Sequence, residues 1–116
     1  MKDQMIIASI QMYSTGDKER NLQTMEKYLE HINKAFPNIK MVVFPELAAH
    51  GSISNMRKEA EVIPGELTSI FSNMANKYNL WLIPGSIYEK SDNEIFNTTP
   101  VFSSGGDLLG KYRKRY

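Results

Sequence analysis

Apolar positions fall into blocks along this chain, and their spacing changes from one block to the next. Met5 to Met12 is a β-branched, apolar run that breaks at Ser14-Thr15-Gly16-Asp17, and it predicts a largely buried first strand. Asp17 is placed to cap a helix. Beyond it Leu22, Met25, Leu29, Ile32 and Phe36 recur at spacings of three and four, the apolar stripe of an amphipathic helix that Pro37-Asn38 ends. Ile39 to Phe44 is short and continuously apolar, the pattern of a strand covered on both faces, and Pro45 closes it. Leu47 to Val62 has no clean period and predicts a long loop with one helical turn around Asn55 to Ala60.

Helical spacing returns after Pro64-Gly65-Glu66, with Leu67, Ile70, Phe71, Met74, Ala75 and Tyr78 on one face and an end at Asn79. Leu80 to Tyr88 reads as a strand interrupted by Pro84-Gly85, and Ser91-Asp92-Asn93 as a turn. Ile95 to Phe102 is a further strand, Ser103 to Asp107 a hairpin loop, and Leu108 to Arg113 the last strand. The order β-α-β-α-β-β-β combines crossover units with a terminal meander. A mixed α/β sheet follows, parallel early and antiparallel late. The chain stops soon after its last strand with no element to cover the sheet beyond it, so a remainder is expected.

Composition narrows the class. At 116 residues the chain is one domain at most, and 41% hydrophobic with 23% charged residues suits a soluble globular protein. No apolar stretch approaches the roughly 20 residues of a membrane span, and the polar start Met1-Lys2-Asp3-Gln4 does not resemble a secretory leader. A cytoplasmic location and no membrane partner are therefore expected. The chain has no cysteine and two histidines, His31 and His50, so disulfides and thiolate metal sites are excluded and no metal or cofactor is implied. The net charge is +1, yet Lys111, Arg113, Lys114 and Arg115 all fall in the last six positions; without them 10 basic residues face 13 acidic ones, a balance of −3. This basic tip lacks aromatic platforms interleaved with a broad basic face, and nucleic acid is not an expected partner.

Candidate chemistry centres on Phe44-Pro45-Glu46. Pro45 fixes its own φ near −65° and biases Phe44 toward extended geometry, which presents the Glu46 carboxylate rigidly where a strand runs out. Such a carboxylate can serve as a general base, and the small residues Ala48, Ala49 and Gly51 after it leave room for substrate. Opposite charge comes from the last strand. Alternation sets Lys111 and Arg113 on the face opposite Tyr112 and Lys114, so one lysine of the two points at Glu46. Ser103 and Ser104, beside Gly105-Gly106, are turn residues rather than nucleophiles. His31 is expected on the surface, His50 as a solvent-facing loop residue, and Trp81 and Tyr88 in the core. Asn97, unusual within a strand, could hydrogen-bond to hold the Glu46 loop.

Five fragments then occur in order: Val42-Val43-Phe44-Pro45-Glu46-Leu47 with Gly51, Pro64-Gly65, Gly85-Ser86-Ile87-Tyr88-Glu89, Phe96-Asn97-Thr98, and Gly110-Lys111-Tyr112-Arg113-Lys114. In these the chain resembles the nitrilase superfamily of carbon-nitrogen hydrolases over essentially its whole length. The resemblance implies a partial α-β-β-α sandwich lacking its C-terminal half, with residues 1–116 as the N-terminal portion of a hydrolase domain. It implies Glu46 as general base, Lys114 as stabiliser of the oxyanion, and a cysteine nucleophile that this chain does not contain. The full-length form is accordingly expected to hydrolyse a small-molecule amide, nitrile or carbamoyl substrate, and the 116-residue chain to be inactive. Arg115-Tyr116, where many members have histidine and leucine, favours amidase-like branches. The alternative reading is a non-catalytic module that associates with itself or a partner. A homo-oligomer is expected on either reading, because an uncovered sheet drives association.

Overall fold

The computed structural model describes residues 3–51 and 56–115. Its strands are β1 (Ile6–Ser9), β2 (Ile39–Val43), β3 (Trp81–Ile83), β4 (Ile87–Ser91), β5 (Glu94–Phe102) and β6 (Leu108–Arg113); its helices are α1 (Lys18–Ala35), α2 (Met56–Glu59) and α3 (Glu66–Tyr78). All six strands form one sheet. β1, β2 and β3 run parallel, joined by crossovers through α1 and α3, and the β4-β5-β6 meander is antiparallel. One edge of the long β5 takes β3 at Leu82↔Phe102 and then β4 from Ile87↔Thr98 onward. β3 and β4 are thus the predicted Leu80–Tyr88 strand, divided by Pro84-Gly85 and prolonged to Ser91. β6 pairs with the other edge of β5.

The helices begin and end for local reasons. The Asp17 carboxylate accepts from the Arg20 amide at 3.3 Å and caps α1, as its sequence position predicts. α3 ends on Asn79 in the left-handed conformation (φ 53°), which an asparagine tolerates better than most residues. α2 falls within the predicted turn Asn55–Ala60, of which Asn55 lies outside the described residues.

Both long helices lie on the same face of the sheet. Leu22, Met25, Leu29 and Ile32 of α1 and Leu67, Phe71, Met74 and Ala75 of α3 close over Val42, Phe44, Leu82, Ile87 and Phe102. Two expectations fail here. β1 is not largely buried: Ile6 is 52% and Ile7 53% exposed. β2 is covered on one face only, for Val42 is fully buried while Met41 and Val43 on either side of it are half-buried. Two causes combine: the described elements cover a single face, and β1 is the edge strand of the sheet, so Ile6 is exposed although it lies on the same side as Ala8. Where Val42 and Leu82 point into the core, alternation directs Ile7, Met41 and Trp81, then Ser9, Val43 and Ile83, to the bare side. Phe36 also leaves the predicted stripe; as the residue ending α1 it is half-exposed.

Candidate active site

Two strand ends meet on the bare side of the sheet. Leaving β2, the backbone turns through Phe44-Pro45-Glu46, and its anchor is the break between β3 and β4. The Phe44 amide donates to the Ile83 carbonyl at 2.8 Å, and the Leu47 amide donates to the buried Ser86 hydroxyl at 3.0 Å. Gly85 fits between them because it lacks a side chain. Its φ is +82°, and a Cβ there would stand 2.0 Å from the Pro45 carbonyl oxygen. Behind Glu46 the chain forms a tight turn, with Leu47 at φ 54° and the Gly51 amide donating to the Leu47 carbonyl at 2.8 Å. Buried Asn21 of α1 braces that turn from below: its Nδ2 donates to the carbonyls of Thr15 (2.7 Å) and Ala49 (2.8 Å). Ser14 adds a hydroxyl donated to the Ala48 carbonyl at 2.8 Å.

Into this frame comes the end of β6. The Lys114 amide donates to the Asn97 carbonyl at 2.8 Å, continuing the β5-β6 ladder by one step. Both side chains then converge on one oxygen: Lys114 Nζ lies 3.0 Å and Asn97 Nδ2 2.8 Å from Glu46 Oε2. Glu46 and Lys114 are 68 residues apart in sequence. The structure therefore brings together the two site residues expected from the sequence, and Asn97 does hold the Glu46 carboxylate. Lys111 points elsewhere, as alternation requires. Among the described residues both of these bonds go to Oε2, which leaves Oε1 to take a proton.

The environment of Glu46 is wet, with about half of each side chain of the Glu46–Lys114 pair accessible to solvent. The hydrogen bond from Lys114, then that from Asn97, holds the Glu46 carboxyl below its ordinary value. A half-exposed ion pair of this kind contributes only about 0–1 kcal/mol to folding, so stability alone is a weak reason for this convergence. A cleft of about 310 Å³ opens at the pair, lined also by Phe44, Ile83, Thr99 and Tyr112. A second, of about 490 Å³, lies on the other side of Glu46 along Met12, Ser14, Leu47, Gly51 and Tyr88.

Several residues depart from expectation or carry roles that the sequence does not signal. His50 is buried, not solvent-facing. It packs on Tyr88 with ring centroids 5.2 Å apart, and neither ring nitrogen has a hydrogen-bond partner among the described residues. Burial first, and the nearby Lys18 charge second, lower its pKa and keep it neutral. Tyr88 is half-buried and borders the second cleft rather than lying wholly in the core. Glu89 stands in one of the family fragments without an evident role, yet it is 2% exposed and gathers two further charges of the basic run, Lys111 and Arg113. Arg113 Nε lies 2.9 Å from Oε1 and Nη2 3.2 Å from Oε2, Lys111 Nζ pairs with Oε2, and the Thr98 hydroxyl donates to Oε1 at 2.8 Å. Lys111, Arg113 and Lys114 are thus engaged in internal ion pairs, which removes most of the basic patch. Among the described residues no group of acidic or histidine side chains is arranged to hold a metal, and no helix is long and apolar enough to cross a membrane.

A mixed sheet backed on one face by two helices and bare on the other is the architecture of one part of a carbon-nitrogen hydrolase. Comparison with known proteins agrees: the carbon-nitrogen hydrolase family model matches residues 6–116, and the chain belongs to that family. Among curated relatives, the omega-amidase NIT3 of Saccharomyces cerevisiae is 38% identical over 109 residues, covering 87% of this chain and 37% of that protein. The human omega-amidase NIT2 is 34% identical over 110 residues, covering 93% and 39%. The crystal structure of yeast Nit3, a member of branch 10 of the nitrilase superfamily, superposes with a TM-score of 0.86 at 32% identity, covering 97% of this chain and 44% of that one. A carbon-nitrogen hydrolase from Helicobacter pylori shares the fold with a TM-score of 0.79 at 24% identity. The chain spans well under half the length of these relatives.

Proposed function

We propose that this chain carries the base and the oxyanion-stabilising lysine of an amidohydrolase site acting on non-peptide carbon-nitrogen bonds. The omega-amidase relatives favour a small ω-amide as substrate. One observation carries the reading: Lys114 and Asn97 meet on a single oxygen of Glu46 at the mouth of a cleft. In the working site Glu46 Oε1 takes the proton of a cysteine thiol, the sulfur bonds to the amide carbon, and the carbonyl oxygen gains the negative charge that Lys114 stabilises. Collapse breaks the carbon-nitrogen bond, and the proton held by Glu46 leaves with the amine. Water, deprotonated by Glu46, then cleaves the thioester and frees the cysteine.

The 116 residues contain no cysteine, so this polypeptide alone is inert as a hydrolase; loss of a nucleophile from such a unit costs on the order of a million-fold in turnover. Its base is also mistuned. A carboxylate that is half-exposed and bonded to an ammonium ion sits low for proton abstraction at neutral pH, and covering the bare sheet face would raise it by desolvation. The same bare face supports the second reading, a module that associates with a copy of itself or a partner.

A chimera tests the catalytic reading. In it, this chain replaces the matching segment of yeast NIT3, which supplies the rest of the fold. Ammonia release from a small ω-amide is expected, with Glu46→Gln lowering turnover about 10²–10⁴-fold and Lys114→Met about 10²–10³-fold. An active chimera indifferent to both substitutions overturns the assignment.

A further inference from the structure

We propose that Glu89 is a positioning residue for the Glu46–Lys114 pair: from the opposite face of the sheet it locks the register of β6 and thereby aims Lys114 at Glu46. The proposal rests on the reading of that pair as the working site.

β6 is bonded to a single neighbour, β5, and its side chains are largely exposed, so little packing fixes where it sits along that neighbour. Register matters more here than elsewhere. A slip by one residue would turn every β6 side chain to the other face, carrying Lys114 away from Glu46 and Arg113 toward it. The backbone ladder cannot prevent this by itself, because peptide groups pair equally well one step along. It is already irregular: Val101 and Phe102 of β5 pair with Gly110 and Leu108, so β6 passes over Leu109.

Glu89 supplies what the ladder lacks. It lies on β4 opposite Phe96 of β5, and its carboxylate reaches past buried Thr98, its hydroxyl donor, to the alternate β6 residues Lys111 and Arg113. Arg113 is fixed twice, since its guanidinium carbon also stands 4.1 Å from the centroid of the Phe96 ring. Each of the two basic residues is one position from Tyr112, and Arg113 is one position from Lys114. Holding Lys111 and Arg113 on the Glu89 face therefore forces Tyr112 and Lys114 to the cleft face. β4 is itself held on its far edge, where the Glu61 amide donates to the Tyr88 carbonyl at 3.0 Å and the Lys90 amide to the Glu61 carbonyl at 2.8 Å. The anchor is thus rigid. A neutral side chain at position 89 would remove the carboxylate that hydrogen-bonds both cations, leaving Arg113 only the more distant charges of Glu94 and Asp92.

The experiment is a titration of the Glu46 carboxyl carbon by ¹³C NMR in this chain and four variants. Lys114→Met is the reference and should raise the Glu46 midpoint by removing its cation. Glu89→Gln should raise it in the same direction, although residue 89 touches neither group. Lys111→Met with Arg113→Met should do likewise, and it keeps the inference testable if Glu89→Gln does not fold. Phe71→Leu, which loosens the core beneath β5, should leave the midpoint unchanged and so separates positioning from general destabilisation. A folded Glu89→Gln or double variant with an unmoved midpoint, when Lys114→Met shifts it, overturns the role of Glu89. An unmoved midpoint in Lys114→Met overturns the reading of the pair itself.

Discussion

Glu46 is held by residues that never touch its carboxylate, and Gly85 is the least replaceable of them. An alanine there would combine a backbone at φ +82° with a Cβ 2.0 Å from the Pro45 carbonyl oxygen, and since the clashing atoms are backbone nothing flexible can yield. Gly85→Ala should cost about 2–4 kcal/mol in chemical denaturation and abolish turnover in the NIT3 chimera. Gly105→Ala is the matched control: its nearest neighbour is the Ser103 hydroxyl at 3.9 Å, and its cost should stay within about 0.5 kcal/mol. A Gly85→Ala chain as stable as its parent would contradict this account of the elbow. At this scale the sequence is legible only where backbone chemistry speaks locally. Pro45 signals the rigid presentation of Glu46 and Asp17 signals a cap. Nothing in the neighbourhood of Asn21, Ser86 or Glu89 announces that each is buried, because their partners come from 6 to 39 residues away.

Among the elements, β6 depends most on charge. Burial by itself would raise the Glu89 carboxyl, but hydrogen bonds from Arg113, then Lys111 and Thr98, outweigh it and hold the value at about 2. Glu89 therefore binds its proton less tightly in the folded chain than in the unfolded one, where its value is near 4.5. Its ion pairs contribute fully above about pH 4.5, and the contribution is lost as the pH falls from there through about 2. Urea midpoints measured between about pH 6 and pH 2 should fall steeply for the parent chain and less steeply for Glu89→Gln. Parallel curves would contradict the assignment. At neutral pH Glu89→Gln should cost about 2–3 kcal/mol, less than the 3–5 of a fully buried pair because Lys111 and Arg113 are each over a third exposed. Element order is the part of the fold that apolar spacing states well: α1, α3 and β6 lie within a residue of their predicted bounds. Spacing cannot reveal that β3 and β4 share one edge of β5, since that pairing is set by the break at Pro84-Gly85 and by contacts remote in sequence.

At the level of the whole molecule, the sequence is apolar on both faces of β1 and β2, whereas the described structure covers one. Burial of β1 and two-sided coverage of β2 are accordingly expectations that fail, and they fail for want of a second layer and, for β1, through its place at the sheet edge rather than through a misread strand. Ile7, Tyr112 and their half-buried neighbours Trp81 and Ile83 form an apolar face that water disfavours. This chain in isolation should self-associate through that face. Light scattering at increasing concentration is expected to show a rise in mass that Ile7→Lys with Tyr112→Lys suppresses. A stable monomer at high micromolar concentration would contradict it.

Everything proposed for catalysis depends on Glu46 and Lys114 being in contact, and a zero-length carbodiimide crosslink reads that contact directly. The reagent joins a carboxylate to an amine only when they touch, and peptide mass spectrometry identifies the pair. The exposed pairs Glu26–Lys77 and Glu30–Lys34, at 2.9 and 3.1 Å, are internal standards for the reaction. The account predicts a Glu46–Lys114 linkage at a yield comparable to theirs, and its absence while both standards form would contradict the account.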